Sequence, residues 1–390
     1  MERFFATCPR GLERVLAEEL AALGARDAIP VDGGVAFGGE MAVCYAANLE
    51  SRVASRILWQ VGHARYRTDR DIYEAARALA WPRFFDVHRT IRVNVSAIKS
   101  PVKSLDFVTL RVKDAVCDAF RAEDGSRPDV DTAQPDVRIH VFLTSDAATY
   151  YLDTSGDALF KRGWRTAAGE APLRENLAAG ILKLAGWTPS ATLYDPMCGS
   201  GTFVVEAAMM ALGAAPGANR EFGFQKLWNF DQKAWRSLVD RAGARRKAAA
   251  PLPIYGSDKL GSAITLARAN LAAAGIENAV HLKQMDVLDG APPSDGGIVV
   301  MNPPYGERLG EDEALAAFYP KLGDALKQRY PGWTAYIFTA DLRLAKLIRL
   351  TASKRTPLFN GALECRLFEY KLVAGSMRRP KPDSQANAPA

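Results

Sequence analysis

The strongest chemical pattern in the chain is an apolar run that stops at an asparagine, two prolines and a tyrosine: Ile298-Val-Val-Met-Asn302-Pro303-Pro304-Tyr305-Gly306. Pro303 and Pro304 fix the backbone and remove two N–H donors. They leave carbonyls free to accept, beside the amide oxygen of Asn302. Two acceptors, the Asn302 oxygen and the Pro303 carbonyl, can grip both N–H groups of an exocyclic amine on a nucleobase. Such an amine is a poor nucleophile, because its lone pair is delocalised into the ring. Gripping it aims the nitrogen at an electrophilic methyl group and favours positive charge on it, an effect of position and electrostatics. Tyr305 can stack on the ring, and a base in a helix would have to leave its stack to enter. No strong base is needed, because the methylated nitrogen is acidic once charged. The alternative is a rigid turn without chemistry. Methylation at cytosine C5 would need a cysteine on this loop, and none is there.

A second pattern lies upstream, in Asp195-Pro-Met197-Cys-Gly199-Ser-Gly201-Thr202. An acid closes a short apolar segment, two glycines allow a sharp turn and close approach of a ligand, and a helical run follows. No Gly-Lys-Ser/Thr completes a P-loop, and Val204 stands where a dinucleotide fingerprint would have its third glycine. A plain strand–helix turn would need one glycine and no acid. Asp258 closes PIYGSD and could accept both hydroxyls of a ribose; Asp286 closes HLKQMD and could accept from an adenine amine. Either acid alone reads equally as a loop acid or helix cap. The ordered trio of glycine loop, Asp258 and Asp286 on successive strands favours a nucleoside cofactor.

These groups need a scaffold that brings strand ends together. Strand-like segments at 191–194, 253–257, 280–284, 298–301, 335–339, near 358 and at 364–372 alternate with helical runs at 202–212, 262–274 and 314–329. Alternation of this kind predicts an α/β fold, a parallel sheet covered by helices on both faces, with ligands at the carboxyl ends of its strands. Residues 214–250 interrupt the pattern as an insertion, aromatic in FGFQKLWNFDQKAW, then basic and helical through RAGARRKAAA. The first 155 residues differ: a short amphipathic helix at 11–23, strands at 91–97, 138–143 and 148–153, and a helix at 108–120 suggest one or two small α+β units.

Composition narrows the classes. The net charge of +6 and pI of about 9.0 suit a polyanionic partner. Cys8, Cys44, Cys117, Cys198 and Cys365 are scattered, as are the four histidines, so neither a metal site nor a disulfide framework is expected, and a reducing cytoplasm fits. Cys198 reads as a packing residue. The start MERFFATCPRGLERVLAEEL is interrupted by Glu2, Arg3 and Arg10 and does not read as a signal peptide. No apolar run reaches membrane-spanning length. Residues 377–390 are polar and proline-rich and read as a disordered tail.

Taken together, DPMCGSGTFVVEAA, YGSDK and NPPYGERLG resemble the bacterial RNA guanine-N2 methyltransferases that carry a THUMP domain, most of all those of large-subunit ribosomal RNA. FATCPRGLERVLAEELAALGA, LRVKDAVCDAFR, YLDTSGDALFKRGWR and PLRENLAAGIL extend the likeness from the first residues to about 375. The resemblance implies a Rossmann-like class I methyltransferase sheet preceded by an α+β ferredoxin-like/THUMP RNA-binding region. The implied organisation is a ferredoxin-like region at 1–55, THUMP at 56–155, a connector at 156–169 and the methyltransferase domain at 170–376. The cofactor implied is S-adenosyl-L-methionine. Asp195, Gly199 and Gly201 would hold its methionine part, Asp258 its ribose and Asp286 its adenine, within a set that includes Met197, Thr202, Lys259, Val287 and Asn302. Asn302, Pro303, Pro304 and Tyr305 would hold the target base, and Arg174 and Glu175 would line the mouth. Longer relatives fuse a second methyltransferase domain after this one, and that activity is expected to be absent.

For RNA, the candidate contacts are Arg92, Lys99, Lys103, Arg111 and Lys113, followed by Lys161, Arg162 and Arg165 in the connector. Such clusters neutralise phosphates and position RNA without reading its sequence. A solvated basic face is the plain explanation of any one of them; the THUMP likeness favours RNA. Three other functions stay open: guanine-N2 methylation of transfer RNA, adenine-N6 methylation, and a non-enzymatic RNA chaperone.

Overall fold

The computed structural model describes residues 1–165, 173–303 and 311–373. The N-terminal half runs β1 (Glu2–Thr7), α1 (Glu13–Ala22), β2 (Arg26–Val31), β3 (Gly34–Gly39), α2 (Met41–Glu50), β4 (Arg56–Arg65), α3 (Asp69–Arg77), β5 (Ile91–Ala97), α4 (Leu105–Asp124), β6 (Val137–Leu143) and β7 (Ala147–Asp153). These strands form one sheet in the order β2-β3-β1-β4-β7-β6-β5. The ten-residue β4 is the seam. It pairs antiparallel with β1 on one side and with β7 on the other, so the two small α+β units share a sheet. Sequence patterning did not reveal β1 to β4, and composition explains part of this. Gly34 is needed because a side chain there would collide with the Ala6 carbonyl, and β2 is mostly exposed, so neither strand alternates cleanly.

The C-terminal half runs α5 (Glu175–Leu184), β8 (Leu193–Asp195), α6 (Thr202–Ala211), α7 (Gln232–Arg245), β9 (Ile254–Asp258), α8 (Gly261–Ala273), β10 (His281–Gln284), β11 (Ile298–Met301), α9 (Glu311–Arg329), β12 (Thr334–Thr339), α10 (Leu344–Leu347), β13 (Lys354–Asn360) and β14 (Leu363–Lys371). Its sheet order is β10-β9-β8-β11-β12-β14-β13. Strands β8 to β12 are parallel as expected, but β14 is antiparallel to β12 and β13, so the sheet is mixed. The tight turn between β13 and β14 reverses the chain, and a parallel neighbour would have required a crossover. Helix α6, TFVVEAAMMA, is buried almost throughout, as its nearly unbroken apolar composition requires.

The two halves are packed as one body. Leu12, just ahead of α1, lies so close to Gly180 of α5 that a side chain there would collide with it. A single apolar cluster includes residues of both sheets. The insertion seals this junction. Phe222, Phe224, Phe230 and Trp235 surround Tyr45 of α2 or one another, with the Tyr45 and Phe224 rings 4.5 Å apart. Phe224 N–H donates to the Thr154 carbonyl at 3.0 Å and Trp228 N–H to the Phe84 carbonyl at 2.9 Å. The helical part of the insertion is α7, which stops at Arg245, so the expected helix does not extend through the basic stretch to 250. Among the described residues no helix is long and apolar enough to cross a membrane. The proposed tail, 377–390, lies outside the described residues.

Candidate active site at the switch point of the C-terminal sheet

From β8 the chain builds outward to β9 and β10, then returns to place β11 on the other side of β8. Strand order reverses there, and in open α/β sheets this is where ligands bind, beyond the carboxyl ends of the strands. Asp195 is the last residue of β8, Asp258 the last of β9, Asp286 follows β10 by two residues, and Asn302 directly follows β11. The fold thus carries four residues far apart in sequence to one edge.

Backbone hydrogen bonds shape the glycine loop. Gly199 and Gly201 have φ of 51° and 82°, which ordinary side chains disfavour, and Gly201 caps α6. Cys198 N–H donates to the Ser257 carbonyl at 2.9 Å, lacing the loop to β9. Asp258 completes the lacing: Oδ2 accepts from Gly199 N–H at 3.0 Å and Oδ1 from Leu260 N–H at 2.9 Å. Each carboxylate oxygen can still accept again. Asp286 is held more simply, its Oδ1 accepting from Leu288 N–H at 2.9 Å. Beside these acids, Met197 is half-buried, Val287 is buried and Lys259 is exposed.

Asp195 is buried and accepts from Met197 N–H at 3.2 Å. Burial pushes its carboxyl well above the usual carboxylate range, and the charge of Asp258 adds to that push. A ligand cation, such as an amino acid's ammonium, would offset both effects. The Cys198 thiol is pushed up by burial first and then by Asp195 and Asp258, which suits a packing residue and not a nucleophile.

At the end of β11, Asn302 Oδ1 is buried and has no hydrogen-bond partner among the described residues. Pro303 is buried beside it. Pro304 and Tyr305, assigned from sequence to hold the base, lie outside the described residues. Among the described residues no group of three or more His, Cys, Asp or Glu side chains is placed to hold a metal ion.

The connector arginines require correction. Arg162, expected on RNA, is buried: its Nε lies 3.3 Å from Glu206 Oε1, its Nη1 donates to the Leu159 carbonyl at 2.7 Å, and its Nη2 donates to the Arg52 carbonyl at 2.6 Å. Arg52 Nη1 lies 3.6 Å from the other Glu206 oxygen, so one acid of α6 holds two arginines where the halves meet. A buried cation needs such an acid, and one so placed cannot also reach a phosphate in solvent. The signal was legible in TFVVEAAMMA, where Glu206 is a lone acid in an apolar helix.

Arg165 faces the glycine loop. Its Nε donates to Glu175 Oε1 at 2.7 Å, Nη1 to Ser200 Oγ at 3.2 Å, and Nη2 to Thr202 Oγ1 at 3.0 Å and the Leu173 carbonyl at 3.1 Å. Thus Thr202 and the buried Glu175 are engaged by Arg165, and Arg174 is exposed with its guanidinium 4.9 Å over the Phe160 ring. Several of the remaining cations are already matched. Arg111 lies 4.0 Å from Asp69, Lys113 lies 2.7 Å from Asp114, Lys161 lies 3.9 Å from Asp157, and Arg92 donates to the Thr132 carbonyl at 2.6 Å. Lys99 and Lys103 are exposed.

Comparison with known proteins agrees with this architecture. Residues 162–369 match the family described as RMKL-like methyltransferase domain, 66–153 match the THUMP domain, and 3–58 match the RlmL ferredoxin-like domain. A Synechocystis protein named as a candidate RNA methyltransferase is 39% identical, with 95% of this chain and 96% of that protein aligned. The ribosomal RNA large subunit methyltransferase K/L of Aeromonas hydrophila is 40% identical across 99% of this chain but only 56% of its own length, so the chain spans about half of that relative. A crystal structure of a candidate methyltransferase in complex with S-adenosylhomocysteine superposes with a TM-score of 0.86 at 31% identity, covering 97% of this chain and 99% of that one. The chain therefore belongs to the RMKL-like methyltransferase family, and carries an RlmL-type ferredoxin-like domain and a THUMP domain ahead of its methyltransferase domain.

Proposed function

We propose that this chain methylates the exocyclic N2 amine of a guanine in RNA, with large-subunit ribosomal RNA as substrate and S-adenosyl-L-methionine as methyl donor. The observation that carries the reading is the buried Oδ1 of Asn302 at the switch point, which has no hydrogen-bond partner among the described residues. An unsatisfied buried acceptor costs about 1–3 kcal/mol, and such groups mark places where a partner is expected. An amine N–H from the target base is that partner. The Pro303 carbonyl takes the second N–H, and the nitrogen is then held with its lone pair available.

The bound donor supplies a methyl group on a positively charged sulfur. Asp195 would meet its ammonium, Asp258 its ribose hydroxyls and Asp286 its adenine amine, while Gly199 and Gly201 allow close approach of the backbone. Arg165 positions the loop through Ser200 and Thr202. Pro304 and Tyr305, which the sequence assigns to the same base, lie outside the described residues. As nitrogen gains positive charge, the Asn302 oxygen stabilises it more than in the ground state, which is where catalysis arises. The proton then leaves to solvent. The RNA reading is supported by the THUMP match and by the names of the relatives, and a cytoplasmic setting by five free, buried cysteines.

Nucleoside mass spectrometry of ribosomal and transfer RNA, from cells with and without the gene, tests this. Loss of N2-methylguanosine from large-subunit RNA is expected. Loss from transfer RNA alone would move the substrate, loss of N6-methyladenosine would change the base, and no loss at all would favour a chaperone.

A further inference from the structure

Strands β11 and β12 are parallel neighbours, and Met301 stands opposite Ile337. Strand β11 stops at that pair, while β12 continues to Thr339. Adjacent strands lie about 4.8 Å apart. Asn302 follows the pair directly on one strand, and Thr339 and Asp341 follow it on the other. Strand β12 lies on the side of β11 away from β8, whereas Asp195, Asp258 and Asp286 lie on the β8 side. A base whose amine is gripped at Asn302 and aimed at a cofactor on those three acids must therefore spread the rest of its ring over the end of β12.

That end carries a fixed carboxylate. Asp341 N–H donates to the buried Thr339 Oγ1 at 3.0 Å. Its Oδ1 accepts from Arg343 N–H and from Arg343 Nε, each at 2.9 Å, and its Oδ2 accepts from Arg343 Nη2 at 2.8 Å. The guanidinium thus meets the carboxylate as a fork, and these bonds hold the carboxyl below the usual carboxylate range. From α9 the buried Tyr319 presents its hydroxyl beside Asp341 and Thr339. An aspartate ahead of a short helix often serves as a cap, and Oδ1 does so for α10. A cap needs one oxygen and stands in water. The Asp341 side chain is only 8% exposed, both oxygens are fixed in direction, and Oδ2 can still accept another hydrogen bond.

The purine edge gives this acceptor a use. Guanine carries an N1–H donor next to its N2 amine. Adenine carries an unprotonated N1, an acceptor, next to its N6 amine. An ionised carboxylate beside the gripped amine attracts the first and repels the second. We propose that Asp341 accepts the N1–H of the target guanine and is the residue by which the site selects guanine over adenine. The inference rests on the reading that Asn302 grips the N2 amine. Arg343 acts through Asp341, by holding its oxygens in place. A site built to pair a donor of its substrate rejects an analogue that lacks it, because the buried acceptor is then left facing another acceptor.

The test uses the full chain and two large-subunit RNA fragments. One carries guanine at the nucleotide that mass spectrometry identifies, and the other carries 2-aminopurine there, which keeps the N2 amine but has an unprotonated N1. The ratio of kcat/KM for the two fragments is compared between enzymes, so the intrinsic difference between the amines cancels. Asp341→Ala should lower kcat/KM for guanine about tenfold to a hundredfold, as loss of a hydrogen bond to a charged group does. Asp341→Asn is similar in size and can donate to N1, so it should shift the ratio toward 2-aminopurine by about a hundredfold. Its unfolding midpoint and cofactor affinity should stay near wild type. An equal fall for both fragments in Asp341→Asn would show that Asp341 only braces the loop, and would overturn this inference. An unchanged ratio at wild-type rates would overturn it as well; both results leave the proposed function standing. A wild-type chain that methylates no guanine in RNA would overturn both.

Discussion

In the C-terminal sheet, the residues assigned to chemistry are held by backbone. Asp258 is fixed by two N–H groups, Asp286 by one, and Asn302 sits directly on a strand end. In the N-terminal sheet, the cations assigned to RNA stand on long, flexible stems, and several are matched by a nearby acid. The contrast reflects two tasks. Methyl transfer requires atoms placed to a fraction of an ångström, so a short side chain on a rigid element suits it. Holding RNA requires charge over an area, where single positions matter little and the balance of many decides. Where the halves meet a third regime holds, with charges buried and locked together by Glu206.

The largest effect is expected at that junction. Glu206→Ala leaves the guanidiniums of Arg52 and Arg162 buried without their acid, at side-chain exposures of 11% and 2%. Removing one partner of such a cluster costs about 3–5 kcal/mol. Urea unfolding of the variant should show this loss; an unchanged midpoint would mean the halves are not held by this cluster.

Next comes the reacting pocket. Asn302→Ala should lower single-turnover methylation about a hundredfold to a thousandfold at saturating RNA and cofactor, with cofactor affinity near wild type. Asn302→Asp keeps acceptor oxygens at similar size and should retain more activity than alanine. A wild-type rate in the alanine variant would reduce the Asn-Pro-Pro-Tyr segment to a turn.

A smaller loss is expected at Asp258. Losing charge-assisted hydrogen bonds of about 1.5–3 kcal/mol corresponds to a tenfold to hundredfold weaker binding of S-adenosylmethionine. Calorimetry on Asp258→Ala measures it, and Asp286→Ala should lose less, since Asp286 does not also brace Gly199. Equal losses would remove the distinction drawn between the two acids.

The smallest effect sharpens the contrast from the other side. Arg111→Ala removes a cation 4.0 Å from Asp69, with both side chains partly exposed. Stability should move by less than about 1 kcal/mol, and RNA affinity by no more than a few-fold. A loss of RNA affinity of about tenfold or more would show that matched cations of α4 do bind RNA.

Much of the C-terminal half was legible because its signals are local. The apolar run of β11 matches its sequence reading at 298–301, and the Gly-rich turn and strand-end acids each declare themselves within a few residues. The N-terminal half was less so. Strand β5 was read correctly, but β4 was missed, with its bulge near Val61 and its two sets of partners far along the chain. Arg162 and Arg165 show the same limit in the site. A lysine or arginine looks alike in sequence whether it meets phosphate, carboxylate or carbonyl, because its long stem lets neighbours choose its direction.

The amino-acid sequence by itself determined the alternation of strands and helices around the C-terminal motifs, the turn chemistry at Gly199 and Gly201, and an acceptor pair at Asn302 and Pro303, because residue type and immediate neighbours suffice for these. Tertiary structure decided that Asn302 Oδ1 would be buried without a partner among the described residues, that Asp258 would lace Gly199 to β9, and that Glu206 would gather Arg52 and Arg162 at the junction. Each of these depends on which strand ends and side chains become neighbours, and that follows only when strand order closes the sheet and water is removed from between its parts.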